Sequence, residues 1–195
     1  TIYGQSVGTG ELTARGDFDQ AGIGGNKDQS GGTITINGGT VTANGGYGSA
    51  GIGGSGQAAG GTITINGGHV TANGSQGSQQ YYSAGIGGGF KGAGGSITIN
   101  GGVVEAHGGW TGIGSGEQAS AESTCEVTVK GGVVTATGDN SAGIGGTFST
   151  GDNGNAVIIA DGKDDDGISD NDNTTGWSGL IITKTQDEGK IYGRG

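Results

Sequence analysis

No proline and no methionine occur in this chain of 195 residues, and cysteine occurs once, at Cys125. The lack of proline excludes collagen, as does the failure of glycine to fall at every third position. One cysteine excludes an internal disulfide. Apolar residues make up only 29% and aromatic residues 5%, too few large side chains for an ordinary globular core. Basic residues are scarce as well. Eight Lys and Arg are spread singly against 18 Asp and Glu, a net charge of −10. That leaves no clustered basic face to neutralise phosphates and argues against nucleic acid as a partner. No apolar run approaches the ~20 residues of a membrane-spanning helix.

What the chain has instead is glycine, 53 residues of it, arranged with a period. The unit is seen most clearly from Gly51 to Gly74, where Gly51-Ile52-Gly53, Thr62-Ile63-Thr64-Ile65 and Val70-Thr71-Ala72 are separated by glycine-rich corners. The first isoleucine recurs as Ile23, Ile52, Ile86, Ile113 and Ile144, at steps of 29, 34, 27 and 31 residues. The second recurs as Ile34, Ile63, Ile97 and Val127. Fixed pieces with elastic gaps identify a solenoid, which needs few inward side chains because each coil is buried by its neighbours.

Within the unit, Thr33-Ile34-Thr35-Ile36 has period two, isoleucine inward and threonine outward. Asn37-Gly38-Gly39 tolerates left-handed backbone and reads as a tight corner. A chain that returns after about 30 residues pairs in parallel, coil on coil, at ~4.8 Å, and such crossovers are right-handed. The sequence therefore predicts an all-β, right-handed parallel β-helix with three short strands per coil. About six coils of ~30 residues would form one solenoid domain over residues 1–195. The corner asparagines Asn37, Asn66 and Asn100 should stack into a hydrogen-bonded column that ends where Lys130 replaces them.

The ends fit the same frame. Ile2-Tyr3-Gly4 aligns with Ile36-Asn37-Gly38, and Leu12 and Ala14 align with Val41 and Ala43. Val157, Ile159, Leu180 and Ile182 form a degenerate last coil, after which Ile191-Tyr192-Gly193 repeats the opening motif and is expected at the same place in its coil. Neither end shows the polar cap that blocks edge pairing. The expectation is a fragment of a longer repeat-containing protein, its ends met by flanking domains or by head-to-tail self-association.

The runs Ser49-Ala50-Gly51-Ile52-Gly53-Gly54 and Gly61-Thr62-Ile63-Thr64-Ile65-Asn66-Gly67-Gly68 resemble the glycine-rich β-helix modules of large secreted surface proteins of anaerobic Gram-positive bacteria. So does the tail Asn155-Ala156-Val157-Ile158-Ile159-Ala160 followed by Gly176-Trp177-Ser178-Gly179-Leu180-Ile181. The resemblance covers nearly the whole chain. It implies a secreted or cell-surface setting and an adhesin-like or carbohydrate-binding role, with a polysaccharide or another cell-surface component as partner.

Three features are candidates for function. Phe18, Tyr47 and Tyr81 stand five residues before Ile23, Ile52 and Ile86, with Tyr82 adjacent and Trp110 three before Ile113. On a solenoid they should line one edge, where rings suit sugar faces and Asp17, Asp19, Gln79 and Gln80 offer bonds to hydroxyls. The plainer reading is that the rings pack on one another. In the acidic loop, Asp164, Asp166, Asp170 and Asn173 around Gly167 resemble the alternating ligands of a calcium loop, which makes calcium the one cofactor suggested. A solvated acidic insertion is the other reading of that loop. Finally, Thr33 and Thr62, and beside them Thr35, Thr64, Thr98 and Thr128, should form outward ranks able to order water, an ice-binding alternative that Ser96 and Glu126 interrupt.

Catalysis finds little support. Glu105 and His107 share an outward strand face, but no paired carboxylates recur as glycoside hydrolysis requires. The Gly-x-Gly strings precede no helix that would receive a phosphate. A non-catalytic module is expected, with a polysaccharide-active β-helix enzyme as a further alternative.

Overall fold

The alternation of threonine with isoleucine resolves, in the computed structural model, into parallel sheets wound around one narrow core. The structure describes residues 1–4, 10–76, 81–120, 123–149, 156–162, 168, 171–173, 180–185 and 191–194, with side chains described as far as residue 168. Every strand of the core pairs in parallel with its counterpart one coil away, which is the right-handed β-helix expected from the period.

Three sheets form the sides of the coil. The threonine sheet contains Thr33–Ile36, Thr62–Ile65, Gly95–Ile99, Cys125–Val129, Thr147–Ser149 and Asn171–Asn173. The valine sheet contains Glu11–Arg15, Thr40–Asn44, His69–Asn73, Val103–Gly108, Val133–Gly138, Val157–Gly162 and Leu180–Thr185. The glycine sheet has strands of two residues only, Ile23–Gly24, Ile52–Gly53, Ile86–Gly87 and Ile113–Gly114.

Like residues stack on like. Ile34, Ile63, Ile97, Val127 and Phe148 share one register position, and Val41, Val70, Val104, Val134 and Ile158 share another. All of these are buried. The alanine rank from Ala43 to Ala160 fills the narrower part of the core. Outside, Asn66 Nδ2 donates to Asn37 Oδ1 at 2.7 Å and Asn100 Nδ2 donates to Asn66 Oδ1 at 2.7 Å. The column is built as the corner residues required.

The two ends differ from expectation in one respect. Ile2 bridges in parallel to Ile36 on the threonine side, as its motif predicts. Ile191–Arg194 does not take the equivalent place: it runs antiparallel along Leu180–Thr185, at the edge of the valine sheet. The two motifs match in sequence, but Ile191–Arg194 runs opposite to its neighbour strand instead of stacking on it in parallel. The two copies of the motif therefore do not occupy the same place in the coil.

The single cysteine, Cys125, faces inward. It opens a threonine-sheet strand and is buried in the core, its thiol donating to the Gly145 carbonyl at 3.1 Å. Burial pushes the thiol from an ordinary 9.0 up to about 11, opposed by a hydrogen bond to Ser115 and reinforced by Glu126. Between these values the unfolded chain loses the proton and the folded chain keeps it. This contribution to stability is full below pH 9 and declines as pH rises toward 11. The expected decline is about 2–3 kcal/mol. Urea titrations at pH 8 and 10.5 should show a steeper alkaline loss in the parent protein than in Cys125→Ala; equal losses would refute the assignment.

Candidate functional site

Each glycine strand is so short that the corners on its two sides lie against one another. The Phe90 N–H donates to Gly48 O at 2.8 Å, and the Gln57 N–H donates to Phe90 O at 2.6 Å. Buried serines pin the same region: Ser83 Oγ donates to Ser49 O at 2.7 Å, and Gly56 N–H donates to Ser49 Oγ at 3.2 Å.

On this frame Phe18, Tyr47 and Tyr81 form a continuous column. Phe18 and Tyr47 are stacked, with centroids 5.0 Å apart and planes at 11°. Tyr81 follows at 4.9 Å and 42°, and Phe90 closes the column edge-on at 4.6 Å and 62°. The rings thus cover much of one another's faces. Phe18 is 66% exposed, whereas Phe90 is only 6% exposed. Loss of hydration among the rings raises the Tyr47 phenol above its ordinary value, with Tyr81 and the Asp19 carboxylate adding to the rise. Tyr47 therefore remains a neutral hydrogen-bond donor at physiological pH.

The column takes in three of the five aromatic residues expected at the edge. Tyr82, next to Tyr81 on the same corner, is half-buried, and its backbone exchanges hydrogen bonds with Glu117: N–H to Oε2 at 3.2 Å and C=O from N–H at 3.0 Å. Trp110 is half-buried and makes no ring contact among the described residues; its shorter corner takes it out of line. Phe90 was not legible as a member. It comes from the corner after the glycine strand, and only the pairing of the two corners brings it to Tyr81. Gln79 and Gln80 lie outside the described residues.

Alongside the column runs a groove of about 730 Å³. Phe18 and Tyr47 form one wall. Arg15, Asn44, Asn73 and His107, which share one register position on four successive coils, form the other. At ~4.8 Å per coil this rank is roughly 14 Å long. Asn73 Nδ2 donates to Asn44 Oδ1 at 2.9 Å. His107 Nε2 lies 2.8 Å from Asp139 Oδ1, and Gln76 Nε2 lies 2.8 Å from His107 Nδ1. Gln76 Nε2 is also 3.1 Å from His107 Nε2, so the imidazole is held between the amide and the carboxylate. The sequence showed the rings but not this polar wall, because asparagine and histidine at outward strand positions carry no signal until register aligns them.

Residues 34–56, 63–90, 97–117 and 127–148 match a family model described as a beta helix repeat. Each match follows the chain around the three sides of one coil. These coils are β-helix repeats. No curated protein and no solved structure matches the chain.

The β-helix also assembles the threonine ranks. Thr35, Thr64, Thr98, Thr128 and Ser149 are in register, as are Thr33, Thr62, Ser96, Glu126 and Thr147. Glu105 and His107, neighbours on one strand face, belong to separate contacts. Glu105 lies 3.7 Å from His69, while His107 is engaged by Asp139. Among the described residues no three His, Cys, Asp or Glu converge as a metal would require. Of the calcium candidates, Asp164, Asp166 and Asp170 lie outside the described residues, and Asn173 is described only as part of the strand Asn171–Asn173.

Proposed function

We propose that this β-helix is a non-catalytic module of a secreted or cell-surface protein, and that it holds a neutral polysaccharide along its aromatic edge. The observation that carries the reading is the groove itself, which has the Phe18 and Tyr47 rings on one wall and a polar rank from four coils, Arg15, Asn44, Asn73 and His107, on the other. Because Phe18 and Tyr47 stack on one another, a sugar chain lies beside the column rather than on it. It takes hydrogen bonds from Asn44, Asn73, Gln76 and the Tyr47 hydroxyl. Net charge of −10 repels polyanionic glycans and favours neutral ones.

Affinity electrophoresis in gels containing neutral polysaccharides tests the proposal. At least one polymer should retard the protein, and Asn73→Ala or Tyr47→Ala should each weaken binding roughly tenfold, the equivalent of one well-made hydrogen bond. Release of reducing ends would move the assignment to a polysaccharide-active enzyme. Absence of retardation, together with ice-crystal shaping that Thr64→Tyr abolishes, would move it to the threonine face.

A further inference from the structure

The aromatic column also borders a second, smaller cavity. It is a pocket of about 330 Å³ between the paired corners, walled by the four rings, Asp19 and Gln57, with Gly48 and Gly56 beneath. Asp19 holds φ at +55°, a left-handed conformation that Asp tolerates better than most residues. Its carboxylate stands over the two glycines: a Cβ placed on Gly56 would be 3.0 Å from Oδ1, and one on Gly48 would be 3.8 Å away. Among the described residues no Lys or Arg pairs with this half-buried carboxylate and no hydrogen-bond donor meets it. Rings inclined at 42° and 62° cannot cover one another's faces completely. A cation is attracted to such faces.

We infer that this pocket binds a small organic ammonium ion, its charge set against the Asp19 carboxylate and its alkyl groups against Tyr81, Phe90 and the rest of the column. The chain shows the same chemistry internally, since Lys91 Nζ lies 5.1 Å from the centre of the Phe90 ring. Hard metal cations are poor occupants. Calcium takes six to eight oxygen ligands, and the side chains of the walls offer one carboxylate, one amide and two phenol hydroxyls. The overall negative charge raises the local concentration of any cation. The inference does not rest on the polysaccharide reading: groove and pocket share Phe18 and Tyr47, but Asp19, Gln57, Tyr81 and Phe90 line the pocket alone.

Choline and its uncharged carbon isostere 3,3-dimethylbutan-1-ol are the probes, titrated into the whole protein with tyrosine fluorescence and calorimetry as readouts. Choline should bind with a dissociation constant on the order of millimolar, and the isostere at least tenfold more weakly. Asp19→Asn preserves the left-handed turn and should weaken choline about tenfold while leaving the isostere unchanged. Phe90→Leu, which risks the fold, is complemented by Gly56→Ala. The added methyl of that variant meets only the Asp19 carboxylate within 3.8 Å, so melting should be retained and choline binding reduced. Equal binding of the two probes, or no choline binding at 50 mM, would overturn the inference.

Discussion

Replacing Gly87 by alanine should lower the melting temperature by roughly 8–16 °C, the effect of about 4 kcal/mol in a chain of this size. Two costs combine. Gly87 holds φ at +132°, a conformation that side chains strain to adopt. A Cβ there would also stand 2.0 Å from the Gly114 carbonyl oxygen, on the backbone of the next coil. That oxygen belongs to the pairing of Ile86–Gly87 with Ile113–Gly114, so relief requires the coils to part. Gly67→Ala is the control. Its Cβ would meet only the Asn37 oxygen, at 3.6 Å, and stability should change by no more than about 1 kcal/mol. Thermal melts of the two variants decide the matter, and similar losses would show that coil spacing is not set at the glycine strand.

Ile65→Ala should cost about 3–4 kcal/mol, within the range for burying a cavity of that size. Ile65 has no exposed surface and lies in register between Ile36 and Ile99, so the lost methyl groups leave a void that touches three coils. Because solenoid stability is a sum over neighbouring coils, the unfolding transition should also broaden. Leu12→Ala at the first coil, where the side chain is already 37% exposed, should cost about 1 kcal/mol or less. Urea titrations that gave the two variants equal midpoints would contradict this picture of the core.

Much of this was legible because a solenoid repeats its local physics. Thr33-Ile34-Thr35-Ile36 fixed its own inward face by alternation, and the recurrence of that alternation after 29 residues set the partner strand without knowledge of the fold. The site was less legible, since it depends on what lies across corners. Spacing from Ile23, Ile52 and Ile86 found Phe18, Tyr47 and Tyr81. It carried Tyr82 and Trp110 along with them, though neither joins the column. Phe90 belongs to a different corner, and its contact with Tyr81 arises only when a two-residue strand holds both corners together. At the far end, Ile191-Tyr192-Gly193 repeats the opening motif, but identity of motif did not determine chain direction.

Parallel stacking has a mechanical corollary. The hydrogen bonds between coils point along the long axis, so tension drawn between the ends acts on one coil boundary at a time, as in unzipping. From Ile23 to Ile52 a coil contains 29 residues. Fully drawn out, that length of chain spans about 100 Å, against the ~4.8 Å it occupies when wound. A pull strong enough to free a single turn would therefore be answered by a roughly twentyfold local lengthening, while the turns behind it remained wound. The β-helix is a spool, holding reserve length that it pays out stepwise under load.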